Sequence, residues 1–330
     1  MLSLALSCTV ALQPAPDTIR RFSFGPDEIV AATIFGSGPS TVVIIPGLLG
    51  SSFGFRNVTP ALVEAGHRVV VVDLLGTGCS SRPPKADYSL TAQMQRVAGV
   101  LDSLEVKDAV VLAQAIGGSV SYRLALHRPD LVRGIVGIDA GPSEQAATSG
   151  MRNALTFAPV IKLFGAKRIM VGKVRGGLRD SSADPDWVTD DVVEAYTAPY
   201  REDAKAMLRV LNAMAKSQEP EQLTPNLRSI CAPVTLLLGD TPRDKMLTPE
   251  SVDRLRSGLP NFELEIVPGV GKYVHEENPG VVIAAVLRLS NRRGPILADT
   301  GYPRSAADLA VPLAPRAPAR TTCTGLSVAR

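Results

Sequence analysis

Histidine is scarce in this chain: three residues, His67, His127 and His275, in 330. That scarcity excludes a histidine-rich metal centre, and neither a metal nor another cofactor is expected. A charge excess is missing too. Thirty-five Lys and Arg against 32 Asp and Glu leave a net charge of +3, too little to imply a nucleic-acid partner. The four cysteines, Cys8, Cys79, Cys231 and Cys323, show no C-x-x-C spacing, so reduced thiols rather than a disulfide framework are the expectation. No Lys or Arg precedes Arg20, although Met1 to Leu12 is apolar and ends at Gln13-Pro14-Ala15-Pro16. An apolar run without a basic flank, and too short to span a bilayer, argues against both a signal sequence and a transmembrane segment. A cytoplasmic location is therefore expected. Export or lipoprotein anchoring is the alternative should the true start lie upstream.

What is present is the composition of an ordinary globular protein, 45% hydrophobic and 20% charged, long enough for one large core and an inserted lid. Ile19–Phe24 and Ile29–Phe35 read as strands joined by Gly25-Pro26-Asp27 turn chemistry. Thr41–Ile45 is a continuous apolar run closed by Pro46-Gly47, as a strand covered on both faces requires. Helical spacing over Val58–Ala65, Leu90–Leu104 and Gly117–Leu126 alternates with the apolar runs Arg68–Leu74, Ala109–Leu112 and Val132–Ile138. That alternation predicts a doubly wound, mostly parallel α/β sheet with helices on both faces.

Between Gly141 and Leu227 the rhythm stops, and helical stretches occur without a convincing strand; it resumes at Pro233–Leu238. The expected organisation is an apolar segment at 1–18, a core at 19–141 and 228–291, a helical insertion at 142–227, and a disordered Pro/Ala/Arg-rich tail at 292–330. Within the insertion Lys162, Lys167, Arg168, Lys173, Arg175 and Arg179 form a basic stretch without an intervening acid. A solvated face explains it, and contact with an anionic substrate or surface is the alternative.

The most informative segment is Val110-Val111-Leu112-Ala113-Gln114-Ala115-Ile116-Gly117-Gly118, an apolar strand that enters a helix through a turn of small residues. It resembles the Gly-x-Ser-x-Gly nucleophile elbow of the α/β-hydrolase superfamily, with Ala113 at the first glycine and Ala115 at the serine. Three further motifs in the same order support the resemblance. Ile44-Ile45-Pro46-Gly47-Leu48 is similar to the family's His-Gly loop, with Pro46 at the histidine. Asp73-Leu74-Leu75-Gly76-Thr77-Gly78-Cys79-Ser80 is similar to its D-x-x-G-x-G-x-S turn. Pro268-Gly269-Val270-Gly271-Lys272 is similar to the P-G-x-G-H loop that presents the base, with Lys272 at the histidine. The resemblance implies an α/β-hydrolase fold of the capped type over roughly residues 19–291.

The family mechanism needs an attacking oxygen, a histidine that takes its proton, and an acid that orients the histidine. Here the first is Ala115 and the second Lys272, so serine-dependent hydrolysis is not expected and enzymatic activity is left open. Ser119 and Ser121 fall in the following helix, and His275 stands three residues past the base position. For the acid, Asp244 and Asp240 are the candidates, Asp244 favoured; Asp139 at the end of its strand is a second site for it. Main-chain donors do not depend on side-chain identity, so the resemblance implies that Leu48, beside Gly47 in the loop after Thr41–Ile45, and Ile116, just after the elbow, still present amides to a carbonyl or carboxylate, with Gly47 part of the same ligand-binding loop. Trp187, Tyr196 and Phe164 are candidate cap contacts. The expected role is a small-molecule pocket with a degenerate triad. The alternative is a hydrolase, lyase or isomerase that uses Lys272 with an Asp, or directly activated water, on a small carbonyl, ester or epoxide.

Overall fold

The computed structural model describes residues 18–146, 166–201, 203–242 and 247–292. Eight strands form one sheet in the order β1-β2-β4-β3-β5-β6-β7-β8: β1 Thr18–Ser23, β2 Ile29–Phe35, β3 Ser40–Ile45, β4 His67–Val72, β5 Ala109–Gln114, β6 Val132–Ile138, β7 Val234–Gly239 and β8 Phe262–Val267. β1 and β2 form a hairpin, and β2 joins β4 antiparallel. Every other pairing is parallel. The sheet is thus the doubly wound, mostly parallel one that the apolar runs predict.

Strands β3 and β5 show why continuous apolar runs were needed. Val42 to Ile45 and Ala109 to Gln114 are all buried, because helices cover the sheet on both sides. Full burial of such side chains contributes about 1.5–3 kcal/mol each relative to exposure. The edge strand β8 instead turns Glu263 and Glu265 outward, which discourages pairing with another chain.

The core helices are α1 Thr59–Glu64, α2 Leu90–Ser103 and α3 Ile116–His127. α2 starts where Ser89 accepts the Ala92 amide at 3.1 Å, and Glu219 accepts those of Leu90 and Thr91 at 2.7 and 3.0 Å. Those amides have no partner within the helix, so a cap is required there. Glu219 lies after the last helix of the insertion, near its end, and ties its exit to the core. Between β6 and β7 stand α4 Ala166–Asp180, α5 Asp190–Arg201 and α6 Ala204–Lys216, and no strand occurs among the described residues there. Phe53, Val174, Leu178, Val188, Val192, Val193 and Tyr196 make a small core of their own, joining this helical layer to the loop after β3. The chain ends its described part with α7 Pro249–Gly258, α8 Val274–Glu277 and α9 Pro279–Asn291.

Of the basic stretch, Lys162 lies outside the described residues, as do the side chains of Lys167 and Arg168. Lys173 and Arg179 are exposed, whereas Arg175 pairs with Asp190 at 2.6 Å. The segments at 1–17 and 293–330 also lie outside. The expectation of reduced cysteines is corrected: Cys79 and Cys231 are both disulfide-bonded, and separation along a chain says little about distance in a fold. Among the described residues no helix is long and apolar enough to cross a membrane.

Candidate functional site

The site lies at the carboxyl ends of the central strands, where β3, β5 and β6 release their loops beneath the helical layer. The β5–α3 turn is its sharpest feature. Ala115 sits at φ 49° and ψ −116°, a left-handed conformation that costs a non-glycine residue about 1–3 kcal/mol. The turn can form because Gly117 has no side chain: a Cβ there would stand 2.3 Å from the Ile45 carbonyl oxygen. The strained bend lifts residue 115 above the sheet and aims the amino end of α3 at the space over it.

That space is a cavity of about 680 Å³. Its floor is Gly47, Leu48, Gln114, Ala115 and Ile116, and its roof comes from Met170, Val174 and Leu178 of α4 and Met207, Leu208 and Leu211 of α6. Polar groups are few: Gln114, Lys173, Tyr196, Lys272, Tyr273 and His275. Among the described lining residues there is no Ser, Thr, Cys, Asp or Glu. The described part of the wall therefore offers apolar contact area, cations and neutral hydrogen-bonding groups, but no ordinary oxygen or sulfur nucleophile.

Lys272 occupies the base position and borders the cavity. Its Nζ pairs with Asp139 Oδ2 at 3.0 Å, with 29% of the lysine side chain exposed and 4% of the aspartate. Asp139 Oδ1 accepts the Leu247 amide at 2.6 Å. Burial pushes the Asp139 carboxyl above its ordinary range, while Lys272 and the Leu247 amide pull it back. The loop is held from outside: the Lys272 amide donates to the Ser181 carbonyl at 2.8 Å. Glu277 accepts the Gly271, Ala183 and Asp184 amides at 3.1, 2.9 and 3.0 Å.

The candidate acids fare differently. Asp240 is engaged elsewhere, since its Oδ1 accepts the Gly269 amide at 2.8 Å and the Thr241 hydroxyl at 3.1 Å, pinning the loop after β8. That makes Asp240 a turn residue rather than a partner of Lys272. Asp244 lies outside the described residues. Asp139, the second possible site from sequence, is the carboxylate that meets Lys272 among the described residues. Gly47 lines the cavity, and its amide gives its proton to Gln114 Oε1 at 3.0 Å. The amides of Leu48 and Ile116 enter no turn or loop hydrogen bond, and both residues line the cavity.

Three groups escaped the sequence reading or were undervalued in it. Glu276, with no side-chain exposure, pairs with Arg56 at 2.7 Å and accepts the Tyr196 hydroxyl at 2.6 Å, linking α8, the loop after β3, and α5. Burial raises both the Glu276 carboxyl and the Tyr196 phenol. His275, 2% exposed, stacks on Phe55 at 4.7 Å and 17°. Burial first, and Arg56 second, push its imidazole down to about 3, so it stays neutral near pH 7. The i, i+1 run of acids after His275 was the available signal, since two adjacent carboxylates on a four-residue helix need partners. Of the aromatic candidates, Tyr196 lines the cavity, Trp187 packs behind it against Tyr196 and Tyr273, and Phe164 lies outside the described residues.

Comparison with known proteins agrees with this architecture. Residues 40–159 match the family described as alpha/beta hydrolase fold. The chain is 27% identical over 81% of its length, and 96% of the relative, to the uncharacterized hydrolase YugF of Bacillus subtilis (strain 168). It is 31% identical over 74% of its length, and 84% of the relative, to the 2-hydroxy-6-oxononadienedioate/2-hydroxy-6-oxononatrienedioate hydrolase of Cupriavidus pinatubonensis. Among solved structures, an alpha/beta hydrolase fold protein from Burkholderia ambifaria superimposes with a TM-score of 0.70 at 25% identity, covering 82% of this chain and 97% of that one.

Proposed function

The chain belongs to the α/β-hydrolase fold family, and from that premise we propose that it is a member without serine-dependent chemistry, whose capped cavity binds a small carbonyl- or carboxylate-bearing molecule. One observation carries the reading. The backbone at Ala115 has the strained geometry that presents a nucleophile, yet the residue is alanine and no described lining residue replaces its oxygen. A bend costing energy is retained while the group it displays is a methyl.

What remains suits an anion or a polarised carbonyl. The Leu48 and Ile116 amides act as oxyanion-type donors, and the amino end of α3 and the Lys272 ammonium add positive potential at the same place. The apolar roof lowers the local dielectric and strengthens each of these interactions.

Turnover of p-nitrophenyl esters and labelling by a fluorophosphonate test the reading. Neither is expected above heat-denatured protein, beyond the residual ~10³-fold over water that donors and binding alone can leave. Saturable turnover with a burst and a covalent label would refute it. Relatives bearing the name hydrolase suggest a restoration: Ala115→Ser with Lys272→His, the new imidazole being oriented by Asp139. Weak esterase activity is expected in the double variant and in neither single one, because each part is useless alone.

The Lys272–Asp139 pair at the cavity wall supports a second reading, a lyase or isomerase in which the lysine acts on a bound carbonyl. Borohydride reduction in the presence of pyruvate distinguishes them: a mass increment on Lys272 supports imine chemistry, and its absence excludes it. For the compartment, the cytoplasm is the expectation carried from the sequence, whereas the disulfide-bonded Cys79 and Cys231 support an oxidising one. Non-reducing gels of fractionated cells decide between them.

A further inference from the structure

The cavity has a polar niche beside Gly54. A Cβ on Gly54 would stand 2.9 Å from Tyr196 Oη and 3.8 Å from His275 Nε2, and all three residues line the cavity. Absence of a side chain at position 54 is what keeps the niche open. We propose that this niche is a second binding station, which reads an uncharged hydroxyl on the ligand, so that the molecule held here is a hydroxy-carboxylate or hydroxy-carbonyl compound. The proposal rests on the binding reading above and adds to it the chemistry of the ligand's other end.

The polarity of the station follows from the hydrogen bonds around it. Nδ1 of the His275 ring is buried with no hydrogen-bond partner among the described residues. A buried polar group left unsatisfied is rare in folded proteins and calls for an explanation. A bare lone pair is tolerated more readily than an orphaned N–H, which places the proton on Nε2, facing Gly54. The niche then holds one ring N–H donor. Tyr196 gives its own proton to Glu276 Oε1 at 2.6 Å, so its oxygen is left as an acceptor. A hydroxyl satisfies both, accepting from Nε2–H and donating to Tyr196 Oη, whereas a carbonyl can use only the first. A charged group gains nothing there, because Glu276 behind the niche is already matched by Arg56 at 2.7 Å. The stack on Phe55 and the edge contact with Tyr273 at 6.1 Å fix the ring plane, so the donor direction is set before binding.

The test titrates the full chain with octanoate and with 2-, 3- and 4-hydroxyoctanoate, followed by calorimetry. One hydroxy isomer is expected to bind about 3- to 10-fold tighter than octanoate, the worth of one or two neutral hydrogen bonds. His275→Phe keeps the stack on Phe55 and removes the donor. Gly54→Ala fills the niche with a methyl in ordinary contact with His275 Nε2 and pressed against Tyr196 Oη, leaving the ring donor itself in place. Either substitution is expected to bring the ratio to about one while octanoate affinity stays within about twofold. Lys272→Met should weaken all four probes by one common factor. Equal or weaker binding of every hydroxy isomer, or a ratio that survives both niche variants, overturns the inference alone when octanoate binding still responds to Lys272→Met. Binding of none of the four overturns the pocket reading and this inference with it.

Discussion

Lys272→Met is the sharpest perturbation of this site. It keeps most of the side-chain volume and removes the ammonium 3.0 Å from Asp139, whose side chain is only 4% exposed. Asp139 is left with one partner, the Leu247 amide at 2.6 Å. Stranding one member of a fully buried pair costs about 3–5 kcal/mol. Lys272 is 29% exposed, and water can reach the vacated place, so about 1–3 kcal/mol is the better expectation. At about 2–4 °C per kcal/mol for a chain approaching this size, the melting temperature should fall by roughly 2–12 °C.

The loss should also depend on pH with a definite sign. Burial raises the folded-state Asp139 carboxyl above 3.8, while Lys272 holds it down. A carboxyl raised on folding binds its proton more tightly in the native state. Its favourable contribution is therefore complete below the unfolded value and is lost as pH rises through the folded one. Removing Lys272 raises the folded value further, so the penalty should be small at an acidic pH near the unfolded value and larger at an alkaline pH. Adding Asp139→Asn should recover most of the loss at neutral pH, because a neutral amide needs no counter-charge. Chemical denaturation of the wild type, both single variants and the double variant at the two pH values gives the coupling directly. A penalty equal at both pH values, or a double variant no better than Lys272→Met, would refute the pairing.

Ala115→Gly should stabilise the protein by about 1 kcal/mol, relief of left-handed strain exceeding the added chain entropy of glycine; a measured loss would mean that the bend is unstrained. Tyr196→Phe removes the hydroxyl bonded to Glu276 and should cost about 1–2 kcal/mol, with faster amide exchange confined to α5 and α8. Gln114→Leu strands the Gly47 amide and should cost about 1–3 kcal/mol in thermal or urea unfolding. A neutral result there would show that the loop after β3 finds another partner.

The sequence by itself determined the sheet and which residues stand at the elbow turn and in the loop after β8. Apolar run and turn residue suffice to locate β3 and β5, because a strand covered on both faces must be continuously hydrophobic, whatever packs on it. Ala115 and Lys272 need no coordinates to be read: a methyl cannot attack a carbonyl, and an ammonium is not an imidazole. Which acid faces Lys272 was a matter for the tertiary structure. Asp139 and Asp240 end neighbouring strands, β6 and β7, and the path of the β8 loop turns one towards the lysine and the other onto the Gly269 amide. The same holds for Gln114 and Gly47, 67 residues apart, and for Arg56 and Glu276, 220 apart. Periodicity along a chain reports which face a residue occupies. Side-chain partners across strand ends depend on where loops carry them, and only the packed chain fixes that.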